Sequence, residues 1–164
     1  DEIPNPEIFK NFYLEKKYGI FLQNFYVYNI DTFNQYETPW EGTRICKKKD
    51  LKSINYLRKK IKKSNLKKPF WKIYISKDIQ CFNDGGWHFN NFYNAEKISL
   101  KLKTFQHKEF ASERFSNVDV IKRKIINLED LFERGNKYRK VDINETLPDY
   151  IIKNYNKIKE KIEL

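Results

Sequence analysis

The run IFLQNFYVYNI, residues 20–30, limits the fold more than any other stretch. Aromatic and branched side chains fill it at both odd and even positions, so an extended chain here is apolar on both faces. Such a strand is stable only when covered on both sides. The run is also far short of the roughly 20 apolar residues that a membrane-spanning helix needs, and no other stretch comes closer. The chain therefore needs helices or further strands to cover this one, and the rest of the sequence offers both.

Before the run, NPEIFKNFYLEKKY (5–18) predicts a helix with Asn5 as cap, Pro6 at the first helical position and Gly19 as its end. After it, NQYETPWEGT (34–43) reads as a loop broken by Pro39 and Gly42, and TRICK (43–47) as a short strand. Asp50 can cap a helix with Leu51, Ile54, Leu57 and Ile61 on one face. WKIYISKDIQCF (71–82) alternates like one or two strands. Asn94 can cap a helix carrying Ala95, Ile98, Leu102 and Phe105. Asn117 can cap another with Val118, Ile121, Ile125 and Leu128. A last helix over 147–164 would turn Ile151, Tyr155, Ile158 and Ile162 inward. Interspersed strands and helices, with no internal repeat or low-complexity linker, predict an α/β or α+β class in a single domain or domain fragment.

Charge narrows the partners. The chain carries 33 Lys and Arg against 22 Asp and Glu, a formal charge of +11. That reads as a solvated lysine-rich surface or as attraction to nucleic acid, a membrane surface or a phosphorylated substrate. Cys46 and Cys81 have neither metal-site nor disulfide-framework spacing and read as free thiols. No methionine occurs, even at position 1. This predicts a processed chain or a fragment, so missing targeting signals do not fix a compartment.

Three constellations could carry chemistry. Asp1 and Glu2 are adjacent carboxylates before Ile-Pro, suited to a hard divalent cation or to the acidic start of a helix. Gly85-Gly86-Trp87-His88 joins a permissive backbone to a stacking face and a titratable ring. It reads as a binding turn or as a strand-to-helix turn, with Trp87 the stronger candidate for the core. His107 and Glu109 are metal-ligand and acid–base types at a predicted helix end, where a cation is also favoured by the helix dipole. There is no Ser-His-Asp pattern, phosphate-binding glycine loop or paired-cysteine zinc spacing.

Taken in order, DEIPNPEIF, WEGTR, GGWHFNNF, EKISLKL, FQHKEF, IINLEDLFERG and LPDYIIKNYNKI resemble glycosyltransferase family 17. That family holds the bisecting N-acetylglucosaminyltransferase and bacterial and viral relatives. The resemblance covers nearly the whole chain and implies the C-terminal part of a GT-A-type α/β fold. The family reads Asp-x-Asp-Glu-Ile-Pro, so Asp1 corresponds to the second aspartate, and the first aspartate and the nucleotide-binding half would precede it. The resemblance implies Mn²⁺ or Mg²⁺ on Asp1, with His107 as a further metal ligand. Trp40, Arg44, Trp87, His88 and Lys101 would bind substrate, Lys101 facing a phosphate. Glu2 would support the metal or stand near the acceptor. Glu2, Glu41 and Glu109 remain open as the base of an inverting transfer.

The implied function is metal-assisted transfer of a sugar, N-acetylglucosamine or a related one, from a nucleotide-diphosphate donor such as a UDP-sugar to a glycan acceptor. The missing N-terminal half of the same domain is an implied partner, and nucleic acid is not. The competing readings are a basic, aromatic-rich nucleic-acid-binding module and a non-catalytic remnant of the family. A bacterial or viral member would be cytoplasmic, and a eukaryotic one would belong to a Golgi-type membrane.

Overall fold

The computed structural model describes residues 1–104, 108–143 and 147–163. Seven strands run in the order β1 Glu2–Pro4, β2 Tyr18–Val27, β3 Thr32–Asn34, β4 Trp40–Cys46, β5 Ile79–Phe82, β6 Gly86–Asn90 and β7 Tyr138–Lys140. The α-helices are α1 Glu7–Lys10, α2 Ile54–Lys60, α3 Ala95–Thr104, α4 Glu113–Ser116, α5 Val118–Ile126, α6 Asp149–Lys153 and α7 Tyr155–Glu163. Strand pairing is both parallel and antiparallel, so the class is mixed α/β. Among the described residues no helix is long and apolar enough to cross a membrane. The chain divides into two compact units, Asp1–Asn24 with Pro39–His88, and Phe25–Thr38 with Phe89–Leu164.

In the first unit β2 pairs antiparallel with β4, from Tyr18 opposite Cys46 to Gln23 opposite Trp40. It pairs parallel with β5, from Tyr18 opposite Ile79 to Phe21 opposite Phe82. Tyr18, Ile20 and Leu22 project to one side and are covered by Leu57 and Ile61 from the α2 segment and by Ile79. Phe21, on the other side, meets Phe9 and Phe82, with Phe12 stacked beyond. Burial on both faces is thus met as the sequence requires. Cys46 and Cys81 are free thiols packed against this core, and burial pushes both thiols up.

The first helix is much shorter than its pattern predicts. It stops at Lys10, and Asn11 takes φ −129°. The reason is nonlocal: the Gln80 side chain accepts from the Glu15 N–H at 2.9 Å and donates to the Tyr13 carbonyl at 3.2 Å. These bonds take the place of helical ones at 13–15. Gly19 does not end a helix but lies inside β2, where a Cβ would meet Ile45 at 2.7 Å and Phe82 at 2.8 Å. Trp40, placed in a loop by the sequence, opens β4. Ser53, rather than Asp50, caps α2, accepting from the Tyr56 N–H at 3.0 Å. Of the predicted 71–82 strands only Ile79–Phe82 pairs.

In the second unit β3 pairs antiparallel with β7 and with the end of β2. Asn94 caps α3 and Asn117 caps α5 as expected, each accepting from backbone N–H groups of the first turn. A cap of this kind contributes about 1 kcal/mol. Ile98, Leu102, Ile121 and Leu131 form buried apolar positions. The predicted final helix is two helices. Asn154 breaks it at φ −113°, and its side-chain amide donates to the Tyr150 carbonyl at 2.9 Å, closing α6.

Candidate functional site

β1 and β6 pair antiparallel, with Glu2 opposite His88, Ile3 opposite Trp87 and Pro4 opposite Gly86. Cross-strand partners share a face and successive residues alternate, so Glu2 and His88 stand together and Trp87 faces the other way. The glycines make this approach possible. A Cβ on Gly85 would lie 2.5 Å from the Leu22 nitrogen, and one on Gly86 would lie 2.1 Å from the Ile3 carbonyl oxygen. Gly86 also has φ +125°, which a side chain tolerates poorly. The Gly-Gly pair therefore admits the chain's own backbone, and the segment after it is a strand rather than a strand-to-helix turn.

Trp40, at the start of β4, lies over His88. Their rings are nearly parallel, 10° apart, with centroids 4.8 Å apart. The indole Nε1–H donates to Glu2 Oε1 at 3.1 Å. A carboxylate, an indole and an imidazole thus form one group drawn from three separated segments. Glu2 is exposed and Trp40 half-buried, whereas His88 is only 6% exposed. This reverses the expected order: His88, not Trp87, is the more deeply buried of the neighbouring pair. Stacked and buried, His88 positions Trp40 rather than presenting an open edge to a ligand. The exposed carboxylate can accept a proton, and the indole can stack on a sugar ring.

Arg44 and Glu41 are close by but serve the fold. Arg44 donates through Nη1 to the Glu41 and Gly42 carbonyls at 2.8 and 2.7 Å, and through Nε to the Ile61 carbonyl at 3.0 Å. Its side chain is 14% exposed and lies 3.5 Å from the Glu41 carboxylate. Burial lowers its pKa, opposed by Glu41 and Glu2. Glu41 also accepts from the Lys63 N–H at 3.0 Å. Arg44 and Glu41 thus both join β4 to the 61–63 segment.

Asp1 is exposed, just before β1. Lys101 and Glu109 belong to the second unit. Lys101 Nζ donates to Asn91 Oδ1 at 3.1 Å, and burial lowers its pKa. Asn91 was not legible as a partner; it is buried and takes φ +56°. Glu109 is exposed in a short 3₁₀ turn, Lys108–Ala111. His107 lies outside the described residues. Among the described residues no three His, Cys, Asp or Glu side chains form a metal-binding group. Of the residues implied to hold Mn²⁺ or Mg²⁺ they contain Asp1 and the adjacent Glu2, which by themselves are not a complete donor set.

Comparisons with protein families, with curated proteins and with solved structures give no match.

Proposed function

We propose that the chain is part of a nucleotide-sugar-dependent glycosyltransferase of the family-17 type, inverting at the transferred sugar, with a glycan hydroxyl as acceptor. One observation carries the reading. DEIP, WEGTR and GGWH, three segments that bear the resemblance, meet through side chains at Glu2, Trp40 and His88. Nothing in a merely ordered set of motifs requires that convergence.

The roles follow from exposure. Glu2 takes the acceptor proton, because its carboxylate reaches solvent and is oriented by one indole N–H. Trp40 supplies a flat apolar face to a sugar ring, and His88 fixes the indole plane. Transfer of a hexosamine such as N-acetylglucosamine fits this reading. Asp1, Trp87, Lys101 and Glu109 enter it through the resemblance alone, as does a divalent cation, and no step here depends on them.

The test uses protein expressed from the full open reading frame, assayed with UDP-sugars and glycan acceptors in the presence of Mn²⁺. Glu2→Gln is expected to lower kcat by about 100-fold or more, the scale of a lost general base. Trp40→Phe keeps the ring but loses the N–H and is expected to fall between the parent and Glu2→Gln. Transfer unaffected by Glu2→Gln overturns the assignment of the base. Absence of both transfer and donor hydrolysis with every nucleotide sugar overturns the function.

A further inference from the structure

The chain's positive charge is concentrated in one place. Residues 51–77 contain ten of the 33 Lys and Arg and none of the 22 Asp and Glu, leaving the remainder close to neutral. The same segment carries the three most exposed large apolar side chains of the first unit, Ile73, Phe70 and Tyr74, with Trp71 beside them. Ile73 is 91% exposed, Phe70 83%, Tyr74 76% and Trp71 66%. Monomeric surfaces seldom present so many large apolar groups together without a binding role.

The tip is built. Asn65 is buried and donates to the Lys60 carbonyl at 2.7 Å and to the Ser76 carbonyl at 3.1 Å, tying the two ends of the loop. Lys77 Nζ donates to the Pro69 carbonyl at 2.6 Å. Turns from Pro69 to Lys72 and from Lys72 to Ile75 shape the tip itself. Below it, Ile61 is fully buried in the core. Folding therefore holds Phe70, Trp71 and Ile73 outward. Beside them opens a cleft of about 460 Å³ lined by Tyr56, Lys59, Lys60, Lys62 and Tyr74.

We propose that this tip docks the protein on an anionic lipid bilayer, with Phe70, Trp71 and Ile73 entering the headgroup–acyl boundary and the lysines meeting lipid phosphates and carboxylates. Charge complementarity selects this occupant. A second copy would bring two acid-free basic patches together, which repel. A nucleic acid would satisfy the lysines and stack on the aromatics, but Ile73, the most exposed of the group, gains nothing from a base. A bilayer accommodates all three kinds of side chain: aliphatic below, aromatic at the interface, lysine at the headgroups.

The purified protein is sedimented with phosphatidylcholine vesicles, with and without about one-third phosphatidylserine, in low and in high salt. Binding is expected only with phosphatidylserine and is expected to weaken in salt. Phe70→Ser with Ile73→Ser is expected to reduce it at least tenfold, as is Lys59→Glu with Lys62→Glu. These side chains are exposed, and circular dichroism confirms the fold of each variant. No binding to phosphatidylserine vesicles overturns the proposal. Binding indifferent to Phe70 and Ile73 overturns it too, as does preference for single-stranded RNA over vesicles in direct competition.

Discussion

Two groups of polar side chains, one in each unit, show opposite uses of the same chemistry. In the second unit Asp130 is buried, and both its oxygens are engaged. Oδ1 accepts from the Phe132 N–H at 3.0 Å and the Tyr138 hydroxyl at 3.4 Å, and Oδ2 from the Arg134 and Asn136 N–H groups at 2.8 and 3.2 Å. Lys124, buried beside it, donates to the Asp130 and Leu131 carbonyls and to Glu133. The partners come from the loop those residues organise and from Tyr138 at the start of β7. In the first unit Glu2 is also placed by the fold, but it receives one indole N–H and otherwise faces solvent. A closed network stabilises a loop; an open carboxylate on a rigid strand is available to something outside the chain.

The sharpest way to break the comparison is Asp130→Ala. It strands several backbone donors, and a loss of about 3–4 kcal/mol is expected in urea unfolding. A loss below about 1 kcal/mol would mean that water replaces the carboxylate and the loop is not closed. Lys124→Met is expected to cost about 2 kcal/mol, because it takes the ammonium from the Asp130 and Leu131 carbonyls, while Glu133 keeps Arg114. Glu2→Gln is expected to change stability by no more than about 0.5 kcal/mol while lowering kcat about 100-fold or more, which is the signature of the open group. If Glu2→Gln unfolds the protein instead, Glu2 belongs with the structural network.

The smallest expected effect is one of pH. Hydrogen bonds from Lys124 and then Arg114 hold the Glu133 carboxyl below the usual range. A carboxyl depressed in the folded state contributes stability that is present above its unfolded pKa. That contribution is lost as pH falls through the folded value. Urea midpoints of the parent should therefore fall toward those of Glu133→Gln on acidification below the ordinary glutamate range. Parallel curves at all pH values would remove the pair from the network.

These contrasts were only partly legible in the sequence, and locality decides which parts. The Asn94 and Asn117 caps act within one turn of their own helices, so residue type and spacing announce them. The buried β2 run is similarly self-declaring, since its side chains leave no polar face. The predicted 5–18 helix fails because Gln80, remote in sequence, bonds the backbone of Tyr13 and Glu15 in place of helical partners. The union of Glu2, Trp40 and His88 depends on strand register, which no single segment encodes. Trp87 and His88 are adjacent in sequence but point apart once they form a strand, so proximity along the chain does not put them on one face.

The packing around Gly85 and Gly86 has a consequence for descent. Strand spacing alone excludes any Cβ there, whether or not the protein catalyses anything. If the proposed function holds, a lineage that lost activity would keep both glycines to keep its fold, while position 2 would be released to drift. The glycine pair would then mark the scaffold among relatives, and the carboxylate at position 2 would mark the proposed activity.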